Sequence, residues 1–180
     1  DRFAFLLTFD VSSQVERKNP LAVIRAFQRS GLGRDRAVLV LKYTNAHFDR
    51  AAVRRFHEET RGLEVVLLGR FMNREELVSL MNVTDCYVSL HRAEGFGVTM
   101  AEAMALGKPV IATAYSGNLD FMTPDDSCLV RYRLVPIARD HGPYLRGFEW
   151  ADPDIEMAME ARRARSCGGR SRPSPWPNAN

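Results

Sequence analysis

Six apolar segments of strand length, separated by segments with helical spacing, restrict most strongly how this chain can fold. Each is almost continuously apolar rather than alternating in polarity, which is typical of strands buried on both faces of a parallel sheet. We therefore expect an α/β fold with a doubly wound, Rossmann-like parallel sheet. The six segments are Phe3–Phe9, Ala37–Tyr43, Glu64–Leu68, Cys86–Leu90, Pro109–Thr113 and Ser127–Val130.

The segments between the strands begin with residues that are typical of helix N-termini. The fourth helix is expected to stop at Gly107, because glycine suits the left-handed position after a helix. Ligands of such sheets bind beyond the carboxyl ends of the strands, so the loops that follow strands are the candidate sites. The expected helix starts are Asn19-Pro20, Asp49, Asn73, the region of Thr99, and Asp152-Pro153.

The charge of the chain is unevenly distributed. The net charge is +3, from 25 lysines and arginines against 22 acidic residues. Residues 161–180 contain five of the arginines and no acid, which leaves 20 basic and 22 acidic residues, a net charge of −2, in residues 1–160. A nucleic-acid partner is therefore not expected. Residues 161–180 have the composition of a disordered tail, so the domain is expected to cover residues 1–160.

The cysteines and the apolar runs indicate the compartment. Cys86, Cys128 and Cys167 are an odd number without a CxxC pair, so neither disulfides nor a zinc site are expected, and Cys86 is expected in the core. No apolar run reaches the ~18 residues that a transmembrane helix needs. We expect a cytoplasmic protein, with peripheral membrane contact left open. Because the chain opens directly on a strand, it is expected to be part of a longer protein.

One segment, from Ser89 to Thr113, carries most of the functional information. Gly95 and Gly97 flank Phe96, and two such glycines allow the backbone to approach a ligand closely. The helix that follows presents free N–H groups and a positive dipole end, which suit a phosphate. The third glycine of a dinucleotide-binding fingerprint is missing, however, so this pattern alone is weak evidence.

Two glutamates, Glu94 and Glu102, flank the start of this helix. A carboxylate has two acceptor oxygens, which match the two hydroxyls of a vicinal diol. One carboxylate could therefore hold a sugar and the other a ribose, with a phosphate group between them. Two simpler interpretations stay open. Thr99-x-x-Glu102 is also a capping-box sequence, and Glu94 could be a solvated loop residue.

The stretch from Glu94 to Glu102, in the context EGFG, EAMA, GKPVIA and SGN, resembles the E-x7-E motif of retaining GT-B glycosyltransferases of family 4, the glycosyl transferases group 1. The resemblance extends over roughly residues 3–160 and includes the runs ERKNPL, LLG and WADP. It implies the C-terminal, nucleotide-sugar-binding half of a GT-B enzyme without its N-terminal acceptor domain. We expect this chain alone to bind a donor weakly and to transfer nothing.

The resemblance implies a role for each matching residue. Glu94 would bind hydroxyls of the donor sugar, Glu102 those of the ribose, and Lys18 the diphosphate. The common arginine after the first strand is absent, because Phe9-Asp10 and Ser12-Ser13 stand there, and Arg17 is the candidate substitute. Further implied donor contacts are Gly95, Phe96, Gly97, Val98 and Thr99 at the sugar and phosphates, and Arg70, Phe71 and Met72 at the base.

Three further residues are open candidates. His91 could reach the phosphate, or it could be a packing residue at the end of a strand. Ser116 and Asn118 stand where the family closes the far wall of the sugar pocket, but they could equally form a turn in which Ser116 caps a short helix.

The implied reaction is metal-independent transfer, with retention, of a hexose from a nucleotide diphosphate-sugar to a glycan or lipid-linked hydroxyl. No cofactor is implied. The serine-rich ERKNP version favours GDP-mannose, with UDP- and dTDP-sugars left open. The alternative is a non-catalytic Rossmann-type or flavodoxin-like regulatory module. Asp10 and Lys108 match only part of the acid cluster and lysine that flavodoxin-like receivers need.

Overall fold

The computed structural model describes residues 2–32 and 35–160. The expected disorder of residues 161–180 concerns a segment outside the described residues, as does Cys167. Six strands form one sheet in the order β3-β2-β1-β4-β5-β6, and all neighbouring strands run parallel. This confirms the predicted α/β class. The strands are β1 (Phe3–Asp10), β2 (Ala37–Thr44), β3 (Val65–Leu68), β4 (Cys86–Ser89), β5 (Val110–Thr113) and β6 (Cys128–Val130).

The helices begin mostly where local capping signals placed them. The carboxylate of Asp49 accepts a hydrogen bond of 2.8 Å from the amide of Ala52. Asn73 and Glu76 form a reciprocal capping box. Asn19 does precede a helix, but it does not cap it, because its side-chain amide donates to the carbonyl of Leu90. The helices are α1 (Val15–Lys18), α2 (Pro20–Arg29), α3 (Arg50–Glu59), α4 (Arg74–Val83) and α5 (Val98–Ala105).

The expected helix start at Asp152-Pro153 is wrong. These residues end β8 (Glu149–Pro153), which pairs antiparallel with β7 (Tyr132–Pro136) in a hairpin that the sequence did not predict. The next helical stretch, residues 155–160, begins after Asp154, whose carboxylate accepts a bond from the amide of Met157. Strand pairing and burial of Trp150 therefore override the local Asp-Pro signal.

The sheet is covered on both faces, and successive β1 residues contribute to opposite cores. Phe5, Leu7 and Phe9 belong to one cluster, together with residues of α2 and α3. Leu6 belongs to the other cluster, with residues of α4 and α5. Cys86 is buried, as expected. Burial on both faces explains why the strands are almost continuously apolar.

The central strands β1 and β4 are neighbours, although the chain leaves them in opposite directions. From β1 it continues to β2 on one side, and from β4 to β5 on the other side. Such a switch point leaves a crevice beyond the carboxyl ends of the two strands, where α/β proteins bind ligands. Two segments border this crevice. The segment after β1 contains Arg17 and Lys18 of α1, and the loop after β4 contains Glu94 to Gly97. The topology therefore brings together the two candidate segments.

Candidate functional site

The carboxylate of Glu94 lies between two cations of α1. Its Oε2 is 2.5 Å from Lys18 Nζ, and its Oε1 is 3.1 Å from Arg17 Nη1. The three side chains are largely buried, between 11% and 17% exposed. The pairs connect the loop after β1 with the loop after β4. Glu94 is therefore a paired, largely buried carboxylate and not a solvated loop residue.

Arg17 holds the loop as well as the carboxylate. Its guanidinium also donates to the carbonyls of Ala93, at 3.0 Å, and Ser13, at 3.3 Å. Its backbone carbonyl accepts a bond from the amide of Arg92. These contacts give Arg17 a positioning role, whereas Lys18 contacts only Glu94 with its side chain among the described residues.

The ionisation of the Glu94–Lys18 pair is set by two opposing effects. Burial by itself would raise the pKa of Glu94, but the attraction of Lys18 and Arg17 outweighs it and holds this pKa below its usual value. For Lys18, burial is the larger effect and lowers its pKa, although Glu94 counteracts it. Because two cations face one carboxylate, we treat the pair as ionised at neutral pH.

The N-terminus of α5 presents unsatisfied donors. Gly97 is the residue before the helix and has a φ of 91°, a left-handed conformation that favours glycine. Among the described residues, the backbone amides of Phe96, Gly97, Val98 and Thr99 have no hydrogen-bond acceptor. The side chains of Phe96 and Val98 are exposed, so no core residue closes this surface. We call these four amides the α5 mouth; it is suited to an anion.

Glu102 pairs with α4 and not with the cations of α1. Its carboxylate is 3.0 Å from Nη1 of Arg74, at the start of α4. The capping-box interpretation is not what the structure shows, because Gly97 rather than Thr99 precedes the helix. The Thr99 hydroxyl instead accepts a bond of 2.8 Å from the buried Tyr87 hydroxyl.

The segment predicted to contact the base lies in the loop between β3 and α4. Phe71 is largely exposed, and Arg70 donates to the carbonyl of Phe71 and to the carboxylate of Glu76. Met72 is half-buried. The loop ends at α4, whose first residue Arg74 pairs with Glu102, so the predicted base and ribose contacts border each other.

Ser116 and Gly117 hold the loop of Glu94 through its backbone. The Ser116 hydroxyl donates to the Glu94 carbonyl at 2.6 Å, and the Gly117 amide also donates to this carbonyl. Ser116 has a φ of 81°, which is strained for a residue other than glycine. It makes no capping bond to the short 3-10 turn that follows. The hydrogen bonds of its side chain are with the Glu94 backbone.

His91 and Asn118 form a buried network. His91 Nδ1 lies 3.0 Å from the Ser89 hydroxyl, and its Nε2 lies 3.0 Å from the Tyr115 carbonyl and 3.1 Å from the Asn118 side-chain oxygen. The neutral tautomer protonated at Nε2 satisfies all three contacts. Burial lowers the pKa of His91, although its acceptors and Glu94 counteract this. Since both residues are fully buried, they support the strand ends.

Three further features of the described residues concern metal binding, membrane spans and cavities. Residues 2–32 and 35–160 contain no group of three or more His, Cys, Asp or Glu side chains that could hold a metal ion. Within these ranges, no helix is long and apolar enough to cross a bilayer. Two cavities, of about 550 and 190 Å³, lie beside α3 and not at the α5 mouth, which is open at the surface.

A crevice at the switch point, with a cationic side chain and free helix amides, defines a class of α/β domain that binds phosphate-bearing ligands. A family model described as "Glycosyl transferases group 1" matches residues 7–131, more than half of the chain. The chain therefore belongs to this glycosyltransferase family. Its fold matches the C-terminal domains of GT-B glycosyltransferases. A search of curated proteins found no match.

Solved structures share the fold. HepE from Anabaena in complex with UDP-glucose is 22% identical with a TM-score of 0.61, over 73% of this chain and 35% of HepE. The catalytic domain of cholesterol-alpha-glucosyltransferase from Helicobacter pylori is 20% identical with a TM-score of 0.56, over 71% of this chain and 76% of that domain. The C-terminal domain of the group 1 protein LpcC from Francisella tularensis is 19% identical with a TM-score of 0.56, over 72% and 67%. This chain thus spans about a third of the length of HepE.

Sequence reasoning missed two residues that position the site. Arg74 pairs with Glu102, and the Tyr87 hydroxyl donates to the hydroxyl of Thr99. Each acts on an element distant in sequence, so local patterns carried no signal for them. The run SGN marks a turn but does not reveal that it packs under the Glu94 loop.

We expect Gly117→Ala to destabilise the fold. A Cβ atom at Gly117 would lie 1.9 Å from the Gly95 carbonyl oxygen, so the loop must move. We expect a loss of about 1–3 kcal/mol in the free energy of unfolding, measured with guanidinium. Gly95→Ala is the matched control, because a Cβ there meets nothing within 4 Å. Equal stability of both variants would contradict the described packing.

We expect His91 to make stability depend on pH. The folded state holds His91 neutral, so its pKa is below that of the unfolded chain, and the unfolded state binds more protons as pH falls below about 6.5. The free energy of unfolding should therefore fall by up to about 1.4 kcal/mol per pH unit between pH 6.5 and the lower folded-state pKa. His91→Gln should remove this slope, and His47→Gln, at an exposed position, should retain it. An unchanged slope in His91→Gln would refute the assignment.

Proposed function

We propose that this chain binds the nucleotide diphosphate-sugar donor of a retaining, metal-independent family 4 glycosyltransferase. The observation that carries the proposal is the α5 mouth: four amides without acceptors among the described residues, at the switch-point crevice beside Lys18. A diphosphate placed there would receive these N–H groups and the positive end of α5. The first N–H groups of a helix have no partner within the helix, so this exposed N-terminus can donate them to a ligand.

The two glutamates pair with different helices, Glu94 with α1 and Glu102 with α4, which fits a ligand with a diol at each end. Glu94 lies beside α1, and we assign it to the hydroxyls of the sugar. Glu102 lies beside α4, and we assign it to the ribose. The base would then contact the loop of Arg70, Phe71 and Met72. The complex of HepE with UDP-glucose supports a ligand of this class.

Binding would exchange the partners of the Glu94–Lys18 pair. The Lys18 ammonium would turn to the diphosphate, and the Glu94 carboxylate would accept from sugar hydroxyls, while Arg17 keeps the loop in place. As the glycosidic bond breaks, negative charge grows on the departing diphosphate, where Lys18 and the amides of the α5 mouth would stabilise it. We do not assign Glu94 as a nucleophile, because a front-face route, in which the departing phosphate oxygen takes the proton of the acceptor, needs no protein nucleophile.

The transfer itself is proposed for a longer protein, because the chain spans only about a third of HepE. That protein would add the acceptor side of the cleft and move the sugar to a glycan or lipid-linked hydroxyl, as in polysaccharide biosynthesis. We favour GDP-mannose, with UDP- and dTDP-sugars as the other donors to test. We propose a cytoplasmic site of action, with peripheral contact to a membrane.

The flavodoxin-like alternative has less support. Asp10 ends β1 at the carboxyl edge of the sheet, whereas Lys108 precedes β5 at the amino edge, where it donates to the Asn82 carbonyl. The acid and the lysine of a receiver therefore do not meet. Asp10 is instead occupied by the side-chain amide of Asn45, at 2.9 Å.

Donor binding should be measurable by calorimetry with UDP, GDP, UDP-glucose and GDP-mannose in EDTA. We expect Glu102→Gln to weaken binding of the preferred nucleotide roughly 10- to 100-fold, since it removes charge-assisted hydrogen bonds worth about 1.5–3 kcal/mol. The matched control is Glu75→Gln, an exposed glutamate on α4 that should bind like the unchanged protein. An unchanged nucleotide affinity in Glu102→Gln, or binding that requires magnesium, would count against the proposal.

A further inference from the structure

The exposed side of α3 carries a concentration of positive charge that the donor site does not use. It borders the cavity of about 550 Å³, which extends from the turn after β2 along the whole helix. Ala46 and Val53 contribute apolar surface to it. We call this surface the α3 groove; its charged and titratable side chains are His47, Arg50, Arg54, His57, Glu58 and Arg61.

Three arginines of the α3 groove lack a carboxylate partner. Arg50, Arg54 and Arg61 are exposed and form no ion pair with any described residue. On another side of the same helix, Arg55 lies 3.8 Å from the carboxylate of Glu59. Residues 1–160 have a net charge of −2, so unpaired arginines on one face are not a general excess of base. Such a local field attracts anions.

The spacing of the arginines indicates a surface rather than one small anion. Arg50 and Arg54 lie roughly 6 Å apart along the axis of α3, and Arg61 follows two residues after the end of the helix. Three guanidinium groups spread along the groove in this way match a layer of phosphate head groups better than one phosphate. At the end of the groove, Phe48 is 65% exposed, and its ring lies 4.5 Å from that of His47. An exposed aromatic ring beside cations suits the boundary of a bilayer.

We propose that the α3 groove docks the protein on an anionic phospholipid surface. The arginines contact the lipid phosphates, and Phe48 enters the head-group boundary. The groove begins after β2, at the sheet edge that also carries the α5 mouth. Docking therefore places that edge close to the membrane. This inference concerns residues outside the donor site, and it rests on the membrane contact that is part of the proposed function.

Sedimentation with vesicles tests the proposal. The 180-residue chain should bind vesicles of phosphatidylcholine and phosphatidylglycerol in equal parts, and not vesicles of phosphatidylcholine alone. Because each basic residue near an anionic surface contributes roughly fivefold in affinity, the triple variant Arg50→Gln, Arg54→Gln, Arg61→Gln should bind about a hundredfold more weakly. Phe48→Ser should weaken binding by a smaller factor. Raised salt should release the unchanged protein.

A second triple variant is the matched control. Arg2→Gln, Arg29→Gln and Arg55→Gln remove the same charge at exposed arginines that are already paired with carboxylates, and should retain most of the binding. All variants keep the five arginines of residues 161–180, so the difference between the two triples reports the α3 groove alone.

Several results would overturn the proposal: no binding to the anionic vesicles, equal losses in the two triples, or equal binding to both vesicle types. Tighter binding of single-stranded RNA through the same arginines would assign the groove to a different ligand. Thermal unfolding verifies that the variants are folded. If the triple fails this check, Arg54→Glu, which reverses one exposed charge, replaces it and should bind at least fivefold more weakly.

Discussion

The site depends on one buried interaction: the Glu94 carboxylate held between Lys18 and Arg17. It joins the loop after β1 to the loop after β4 across the switch-point crevice, where strand pairing does not connect them. Removing three charged groups from water costs free energy, and their attraction does not always repay it. Such a cluster is therefore weak evidence for stability. Its effect in this fold is to fix the position of the loop that leads into α5.

Around that cluster the backbone contains strained residues and amide N–H groups without an acceptor in the described part of the chain. Ser116 adopts a positive φ, Gly97 starts α5 in a left-handed conformation, and the α5 mouth has no acceptors among the described residues. Local rules for a stable fold are commonly broken at functional sites, with the cost offset elsewhere. Here the offset comes from the two apolar cores that cover the sheet. The sheet places the mouth at its carboxyl edge, where we propose that the diphosphate binds.

The sequence predicted the central sheet well, because burial on both faces leaves a direct trace in the strands. Helix caps such as Asp49 and Asn73 were predictable for a different reason. Their hydrogen bonds reach only three residues along the chain, so the local sequence contains both partners. The β7–β8 hairpin was not, because β7 is largely exposed and its partner lies after a long connection. The pairing of β8 with β7 places Pro153 in a strand, whereas its local sequence predicted the start of a helix.

The candidate site was predictable in its parts but not in its contacts. The motif located Glu94, Glu102 and the glycines between them, yet no local pattern could show that Glu94 is bound to α1 or Glu102 to α4. His91 illustrates the same limit. Its position at a strand end was evident, but its burial depends on Asn118, which lies 27 residues away.

Binding of the donor diphosphate to the α5 mouth can be followed by amide NMR spectra recorded during a titration with nucleoside diphosphate. We expect saturable shifts of the Phe96, Gly97, Val98 and Thr99 amide signals, because these protons gain charged acceptors. Shifts confined to the α3 groove, with the four amide signals unmoved at saturation, would contradict it.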